Sequence, residues 1–457
     1  MPSTFRLLYV AYLLVLPSGD SFRLPFKDLL MPPPSSRFLK TNLNGFLGLG
    51  NNNNNKQEEA RLVQEVNLGD PVVMINNVPT VAQGQLSTIT LQRYLSSLVS
   101  SDESLREMEG LMLSIAMACK TISTLVNRAG INQLTGLETD VMGTRSGSQS
   151  GKGKNKAKKN IQGEDQKKLD VLSNGVLKNA LKFTGKLGLL ASEEEDEALL
   201  IESALDSRYV AVFDPLDGSS NIDASICTGT IFGVLEDDTV ELKNEYKRNN
   251  DDCVRNADAE CVSSTEALLQ PGSQLAASGY CMYSSSTILV FTLGGSHPVI
   301  GFTLDPQLGE FVLTHPNMRV PKRGTYYSVN EGNSWLWDAS IRHYIDKIKR
   351  GEGETKKRYS SRYVGSMVGD VHRTLLYGGI FGNPGDVKHR NGKLRLVYEC
   401  SPMSFLVEQA GGGSCTSDGG SVLEVVPESV HQRSTCWLGS IEDVQELKSY
   451  LTPEETN

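Results

Sequence analysis

The sequence predicts an α/β protein whose buried strands end in acidic turns, and three observations carry that prediction. Amphipathic helical stretches alternate with short apolar strands along the chain. The strands are apolar on both faces, as in a sheet covered on each side. Residues 210–223, VAVFDPLDGSSNID, run from such a strand into Asp214 and Asp217 and then into the turn Gly218-Ser219-Ser220-Asn221. A carboxylate at the end of a buried strand must be solvated, paired or bound to a cation. The stretch therefore describes a pocket for a hard cation and a phosphate at a strand's carboxyl end.

The elements follow in order. Residues 1–21 carry one early positive charge, a ten-residue apolar run at 7–16 and a small polar stretch, the pattern of a signal peptide and too short to span a bilayer. Residues 22–60 begin with a stretch, 22–40, that sets Arg23, Lys27, Arg37 and Lys40 against Asp28, and continue into an Asn-rich linker. Together they resemble a bipartite plastid address, with a secretory or cytoplasmic protein as the competing reading. The folded body is placed at 86–451, in two lobes of about 86–290 and 291–451. Within it, 105–127 is a helix whose Met and Leu stripe reads as core, and 144–160 is a basic, Gly- and Ser-rich loop. A second helix is expected at 165–184 and a short strand at 188–191, leading into Ser192-Glu193-Glu194-Glu195-Asp196. Strands at 287–293, 299–304 and 394–397 and a helix at 403–410 complete the reading.

Composition sets bounds on function. The chain has 457 residues, 39% hydrophobic and 22% charged, ordinary for a globular protein of two lobes plus tails. Its net charge of -9 argues against nucleic acid as a partner. Eight cysteines without CxxC spacing make neither a zinc site nor a dense disulfide framework.

Four acidic clusters need a common explanation: Glu164 with Asp165, Glu193 with Glu194, Asp214 with Asp217, and Glu399 after the apolar LRLVY. Side chains at aligned strand ends converge on one crevice. Gathered carboxylates repel by kilocalories, so a divalent cation is the natural counter-charge. Oxygen ligands select Mg²⁺ or Mn²⁺ over zinc or iron.

These residues carry a resemblance. GEDQKKLDVLSN (163–174), SEEED (192–196), FDPLDGSSNID (213–223), NEGN (330–333), RYVGSMVGDVHRTLLYGGIF (362–381) and NGKLRLVYECSPM (391–403) resemble class I fructose-1,6-bisphosphatases of the plastid, redox-regulated type. The resemblance implies a layered α-β-α-β-α sugar-phosphatase fold, a homotetramer, and Mg²⁺-dependent removal of the 1-phosphate from fructose 1,6-bisphosphate. By position it implies metal ligands at Glu193, Glu194, Asp214, Asp217, Glu399 and the Leu216 carbonyl. Glu164, Asp170 and Glu194 are the implied catalytic residues, with Glu164 and Asp170 completing the site and helping to orient and deprotonate the attacking water. Gly218, Ser219 and Ser220 would cradle the 1-phosphate, and Asn330, Arg362, Tyr363 and Lys393 the second phosphate, with Arg362 serving a neighbouring subunit. Met367 resembles a sugar-ring contact. A sedoheptulose-1,7-bisphosphatase is the rival enzyme, and a catalytically quiet sensor or partner protein the rival of another class.

Two features depart from the family pattern. After YGGIF the chain has Gly382-Asn383-Pro384 where a tyrosine is expected, removing a phenolic hydroxyl from the second phosphate, and Asn333 stands where some relatives place tyrosine. The polar stretch 236–270 resembles the plastid insertion and holds Cys253 and Cys261, the implied redox pair for a thioredoxin-like reductant, with two cysteines where three are usual. Cys227 is a further candidate, whereas Cys119, Cys281 and Cys400 are expected to be buried thiols. Val234-Leu235-Glu236 puts an acid near the position of an arginine in the AMP site of cytosolic relatives, so AMP is not expected to inhibit.

Overall fold

A strand buried on both faces needs a covering layer on each side, and the strands at 209–217, 228–236 and 275–283 are covered in that way. The computed structural model describes residues 89–136, 166–201, 207–237 and 267–451, together with the backbone of two short strands, β1 (Val73–Ile75) and β2 (Val78–Thr80). The larger sheet comprises β3 (Leu187–Ser192), β4 (Leu199–Leu200), β5 (Tyr209–Asp217), β6 (Thr228–Glu236), β7 (Leu275–Tyr283), β8 (Thr287–Thr292), β9 (Val299–Asp305) and β10 (Glu310–Met318). Its order is β10-β9-β8-β7-β6-β5-β3-β4, with β3 and β5 parallel and the other neighbours antiparallel. A smaller sheet comprises β11 (Tyr326–Ser328), β12 (Ser360–Ser361), β13 (Ile380–Asn383), β14 (Gly413–Cys415) and β15 (Cys436–Gly439), in the order β12-β11-β13-β15-β14.

Three helical layers cover the sheets. On the outer face of the larger sheet lie α1 (Leu91–Ser101), α2 (Arg106–Asn127) and α3 (Lys168–Lys182). Alternation along β5 sends Tyr209, Ala211 and Phe213 into this layer, where they meet Leu111, Ile115 and Leu177. Between the sheets lie α5 (Met367–Tyr377) and α6 (Ser401–Gln409). Their Val368, Val371, Met403 and Leu406 touch Ile231 and Tyr280 of one sheet and Phe381 and Leu438 of the other. On the far face of the smaller sheet, α4 (Ala339–Arg350) and α7 (Ile441–Leu451) bury Tyr344, Ile348 and Leu447 against Ile380 and Trp437. The layers therefore run α-β-α-β-α, as the resemblance implied. Each large apolar side chain fully buried between them contributes roughly 1.5–3 kcal/mol.

The helices match their expected positions within a few residues. The second begins at Lys168, where the Asp170 carboxylate reaches back to accept from the Lys167 N–H at 2.8 Å, one half of a capping box. One element differs in kind. Residues 394–397, expected as a strand, make a single bridge from Arg395 to Arg433; the chain then enters a five-residue π-helical turn, Leu396–Cys400, that runs into α6. A short apolar run fits a buried helical segment as well as a strand. Here Pro402, in the first turn of α6, starts the helix that the turn feeds. The basic loop 144–160, Glu164, and the part of the insertion that holds Cys253 and Cys261 lie outside the described residues.

Candidate metal and phosphate site

The site begins with a break in regular pairing. Asp214 faces Ile231 and Asp217 faces Gly229, so three steps along β5 answer two along β6. Residues three apart on a regular strand point to opposite faces; the bulge brings both carboxylates to one side. Two hydrogen bonds hold it, from the Leu216 N–H to Asp214 Oδ1 at 2.9 Å and from Thr230 Oγ1 to the Pro215 carbonyl at 2.9 Å. The neighbouring parallel strand ends beside it, where the Glu193 N–H donates to the Phe213 carbonyl at 3.2 Å. Glu399 arrives from the π-helical turn, which bends back so that the Arg395 N–H donates to Glu399 Oε2 at 2.6 Å.

Asp214, Asp217 and Glu399 are all buried, and one oxygen from each lies within 4.8 Å of the others. Burial pushes all three carboxyls above the ordinary range; Glu193 adds repulsion at Asp214 and Glu399. Asp217 is partly relieved by Ser366 Oγ at 2.7 Å and the Val368 N–H at 3.0 Å, both at the N-terminus of α5. Arg395 supplies a fixed positive charge, 3.0 Å from Glu193 and 3.9 Å from Glu399. An oxygen-only, buried and like-charged donor set fits a hard divalent cation.

Two further acids border this cluster. Burial raises Glu194 to about 8, with Asp170 and Glu193 adding repulsion and Gln166 Nε2 donating to it at 2.5 Å. Asp170 is raised to about 7, again chiefly by burial, against the lowering effect of the Lys167 N–H. Glu164 lies outside the described residues, so its place beside them is not seen.

Next to the carboxylates opens a cleft of about 110 Å³ whose walls include Asp217, Asn330, Tyr363, Met367, Asn383 and Lys393. The fold thus brings together four of the residues expected at the sugar and second phosphate, with one metal-type carboxylate shared between cluster and cleft. Gly218 sits at φ +72°, and a Cβ there would lie 2.7 Å from Ser366 Cβ. Only glycine allows the loop Gly218-Ser219-Ser220 to press against the start of α5. Arg362 does not line this cleft: its guanidinium stands 5.5 Å over the Tyr326 ring and donates to the Ser361 carbonyl at 2.8 Å.

Other expected residues fall elsewhere. Cys119, Cys281 and Cys400 are buried thiols, as expected, and Cys227 is half-buried with burial pushing it up to about 11. Glu236, at the end of β6, pairs with Arg208 at 2.9 Å. Sequence reasoning passed over Arg395, Ser366 and Gln166. The spacing of Arg395 and Glu399 was a usable signal, since residues four apart meet on a helical turn and not on a strand.

Buried oxygen ligands at a bulged strand end, a polar cleft beside them and five alternating layers define the class: a metal-dependent phosphatase. Two family models match the chain, fructose-1-6-bisphosphatase N-terminal domain over residues 89–316 and its C-terminal domain over 320–452. The chain belongs to the fructose-1,6-bisphosphatase family. It is 50% identical over 355 residues to the chloroplastic fructose-1,6-bisphosphatase of Brassica napus, covering 76% of this chain and 77% of the relative. Against the chloroplastic enzyme of Spinacia oleracea it is 48% identical over 354 residues, covering 76% and 77%. Among solved structures, fructose-1,6-bisphosphatase of Leishmania major in holo form matches with a TM-score of 0.65 and 38% identity, over 80% of this chain and 99% of that one.

Proposed function

We propose that this chain hydrolyses the 1-phosphate of fructose 1,6-bisphosphate to fructose 6-phosphate and phosphate, in plastid carbon fixation by the Calvin cycle or in gluconeogenesis. The observation that carries the proposal is Asp217, which belongs at once to the buried carboxylate cluster and to the wall of the polar cleft. Glu193, Glu194, Asp214, Asp217, Glu399 and the Leu216 carbonyl would hold Mg²⁺, or Mn²⁺ in its place. A bound divalent cation supplies Lewis-acid charge for the transferring phosphoryl group. Asp170, with Glu164, would orient the attacking water and take its proton, beside Glu194; burial raises Asp170 to about 7, in the range where a general base works near neutral pH. Backbone N–H groups of Gly218, Ser219 and Ser220 bind the 1-phosphate.

Asn330, Tyr363 and Lys393 hold the second phosphate, and Met367 packs on the sugar. Arg362, directed away from its own chain's cleft, reaches the second phosphate of a neighbouring subunit in a homotetramer. The relatives' chloroplastic names and the address-like residues 1–60 support a plastid stroma location. Cys253 and Cys261 form the disulfide opened by a thioredoxin-like dithiol. Millimolar AMP is expected to leave turnover unchanged, and saturable inhibition at micromolar AMP would contradict the reading of Glu236.

Phosphate release from fructose 1,6-bisphosphate and sedoheptulose 1,7-bisphosphate, with Mg²⁺ and with a chelator, tests the proposal. Mg²⁺-dependent release from the fructose ester is expected. Release from the sedoheptulose ester alone, or from neither, overturns it.

A further inference from the structure

Two walls of the cleft are joined by one side chain that does not itself line it. Asn330 leaves the end of β11, and Tyr363 and Gly365 lie on the segment between β12 and α5. Between these walls stands Arg373, on α5. Its Nη2 shares two N–H groups among three acceptors, Asp370 Oδ1 at 2.6 Å, the Arg362 carbonyl at 2.7 Å, and Oγ of Ser328, the last residue of β11. Asp370, wholly buried, passes the restraint on. Its carboxylate accepts from the Val364 N–H at 3.0 and 3.1 Å and from the Gly365 N–H at 3.1 Å. One guanidinium and one carboxylate thus hold the backbone on either side of Tyr363 and the strand end that leads to Asn330.

β11 is also paired to β12 and β13, but the other wall has few further supports. The segment 362–365 carries Gly365 at φ +81°, and its backbone contact with β11 is one hydrogen bond, from the Arg362 N–H to the Tyr327 carbonyl at 2.9 Å. A turn held this way keeps its shape through charge-assisted bonds, each stronger than a neutral one. The carboxylate cluster has separate supports in the β5 bulge, Ser366 and Arg395.

We infer that Arg373 is a positioning residue for substrate binding: with Asp370 it sets the spacing between Asn330 and Tyr363, and so the grip on the phosphate remote from the reacting one, without setting the metal site. This rests on the reading of the cleft as the site for fructose 1,6-bisphosphate. A residue that arranges ground-state binding alters KM more than kcat.

The test compares wild type, Arg373→Met and Arg373→Lys. The readouts are kcat, KM for fructose 1,6-bisphosphate, the Mg²⁺ concentration for half-activation, and direct calorimetric binding of the same ester. Arg373→Met is expected to raise KM and weaken binding at least tenfold, with kcat within about threefold and half-activation within about twofold of wild type. Arg373→Lys keeps a cation with three donors and should recover part of the loss. Should Arg373→Met fail to fold, Ser328→Ala removes one of the three acceptors and is expected to raise KM by about threefold. A folded Arg373→Met with unchanged KM, or one that loses kcat and Mg²⁺ response instead, overturns the inference. Wild type that neither binds nor hydrolyses the ester overturns the functional reading and this inference with it.

Discussion

Replacing Asp217 with asparagine separates the role of its charge from the role of its shape. The side chain anchors the start of α5 through Ser366 Oγ at 2.7 Å and the Val368 N–H at 3.0 Å. An amide oxygen accepts the same two bonds, so the helix stays docked. The carboxyl is buried and held above the ordinary range chiefly by that burial, so neutralising it in the metal-free protein should shift folding stability by no more than about 1 kcal/mol. Turnover should respond differently. Loss of one preorganised electrostatic group typically raises the barrier by roughly 3–4 kcal/mol, or 10²–10³ in kcat. The bound cation also stabilises the fold by mass action, about 2.7 kcal/mol when its concentration is a hundred times the dissociation constant. Asp217→Asn should forfeit most of that gain. Phosphate release and thermal melts with Mg²⁺ and with chelator measure both effects. A variant that keeps more than about a tenth of wild-type kcat, or whose melting temperature rises with Mg²⁺ as much as the wild type's, refutes the assignment of Asp217 to the metal site.

Three further outcomes are expected. Gly218→Ala must place a Cβ 2.7 Å from Ser366 Cβ at φ +72°, so it should lose about 1–3 kcal/mol of stability in urea titrations together with kcat/KM; wild-type values for both would show that the loop does not need its contact with α5. His372 is buried, shares a 2.7 Å hydrogen bond with the Tyr280 hydroxyl, and is lowered to about 4, by burial first and His315 second. Between pH 6.5 and 4 the unfolded imidazole binds a proton that the folded one refuses, so this residue's contribution is intact above 6.5 and falls by about 2 kcal/mol at pH 5; His372→Gln should flatten that part of the pH–stability curve, and an unchanged curve would count against it. Oxidation should reduce activity at low Mg²⁺ in wild type but not in Cys253→Ser; a switch that persists in Cys253→Ser moves the bridge to another pair.

What the sequence made legible and what it hid have the same physical origin. The gathering of Glu193 and Asp214 could be read in advance, because two apolar strands that end in acids and lie parallel must present those acids side by side, as the bond from Glu193 N–H to the Phe213 carbonyl shows. The stripe of Met108, Leu111, Met112 and Ile115 on α2 was equally open to reading, since long helical periodicity is a strong signal. Glu399, expected just after a strand, lies beside Asp214 and Asp217 but on a helical turn. The apolar run at 394–398 is too short for its period to distinguish a strand from a helical turn. That choice has a consequence: on a strand, Arg395 and Glu399 would stand about 13 Å apart along the chain, whereas on the observed turn the arginine approaches Glu399 and reaches Glu193 as well. The missing tyrosine at Asn383 shows the same dependence on the fold. Read residue by residue, it is a lost hydroxyl. With its amide oxygen turned toward the backbone, Asn383 accepts from the N–H groups of Lys393 and Leu394 at 3.1 and 3.2 Å, next to Gly392 at φ +73°. Asn383 therefore holds the lysine that lines the same cleft, a role that exists only once the turn at Gly392 has closed the loop.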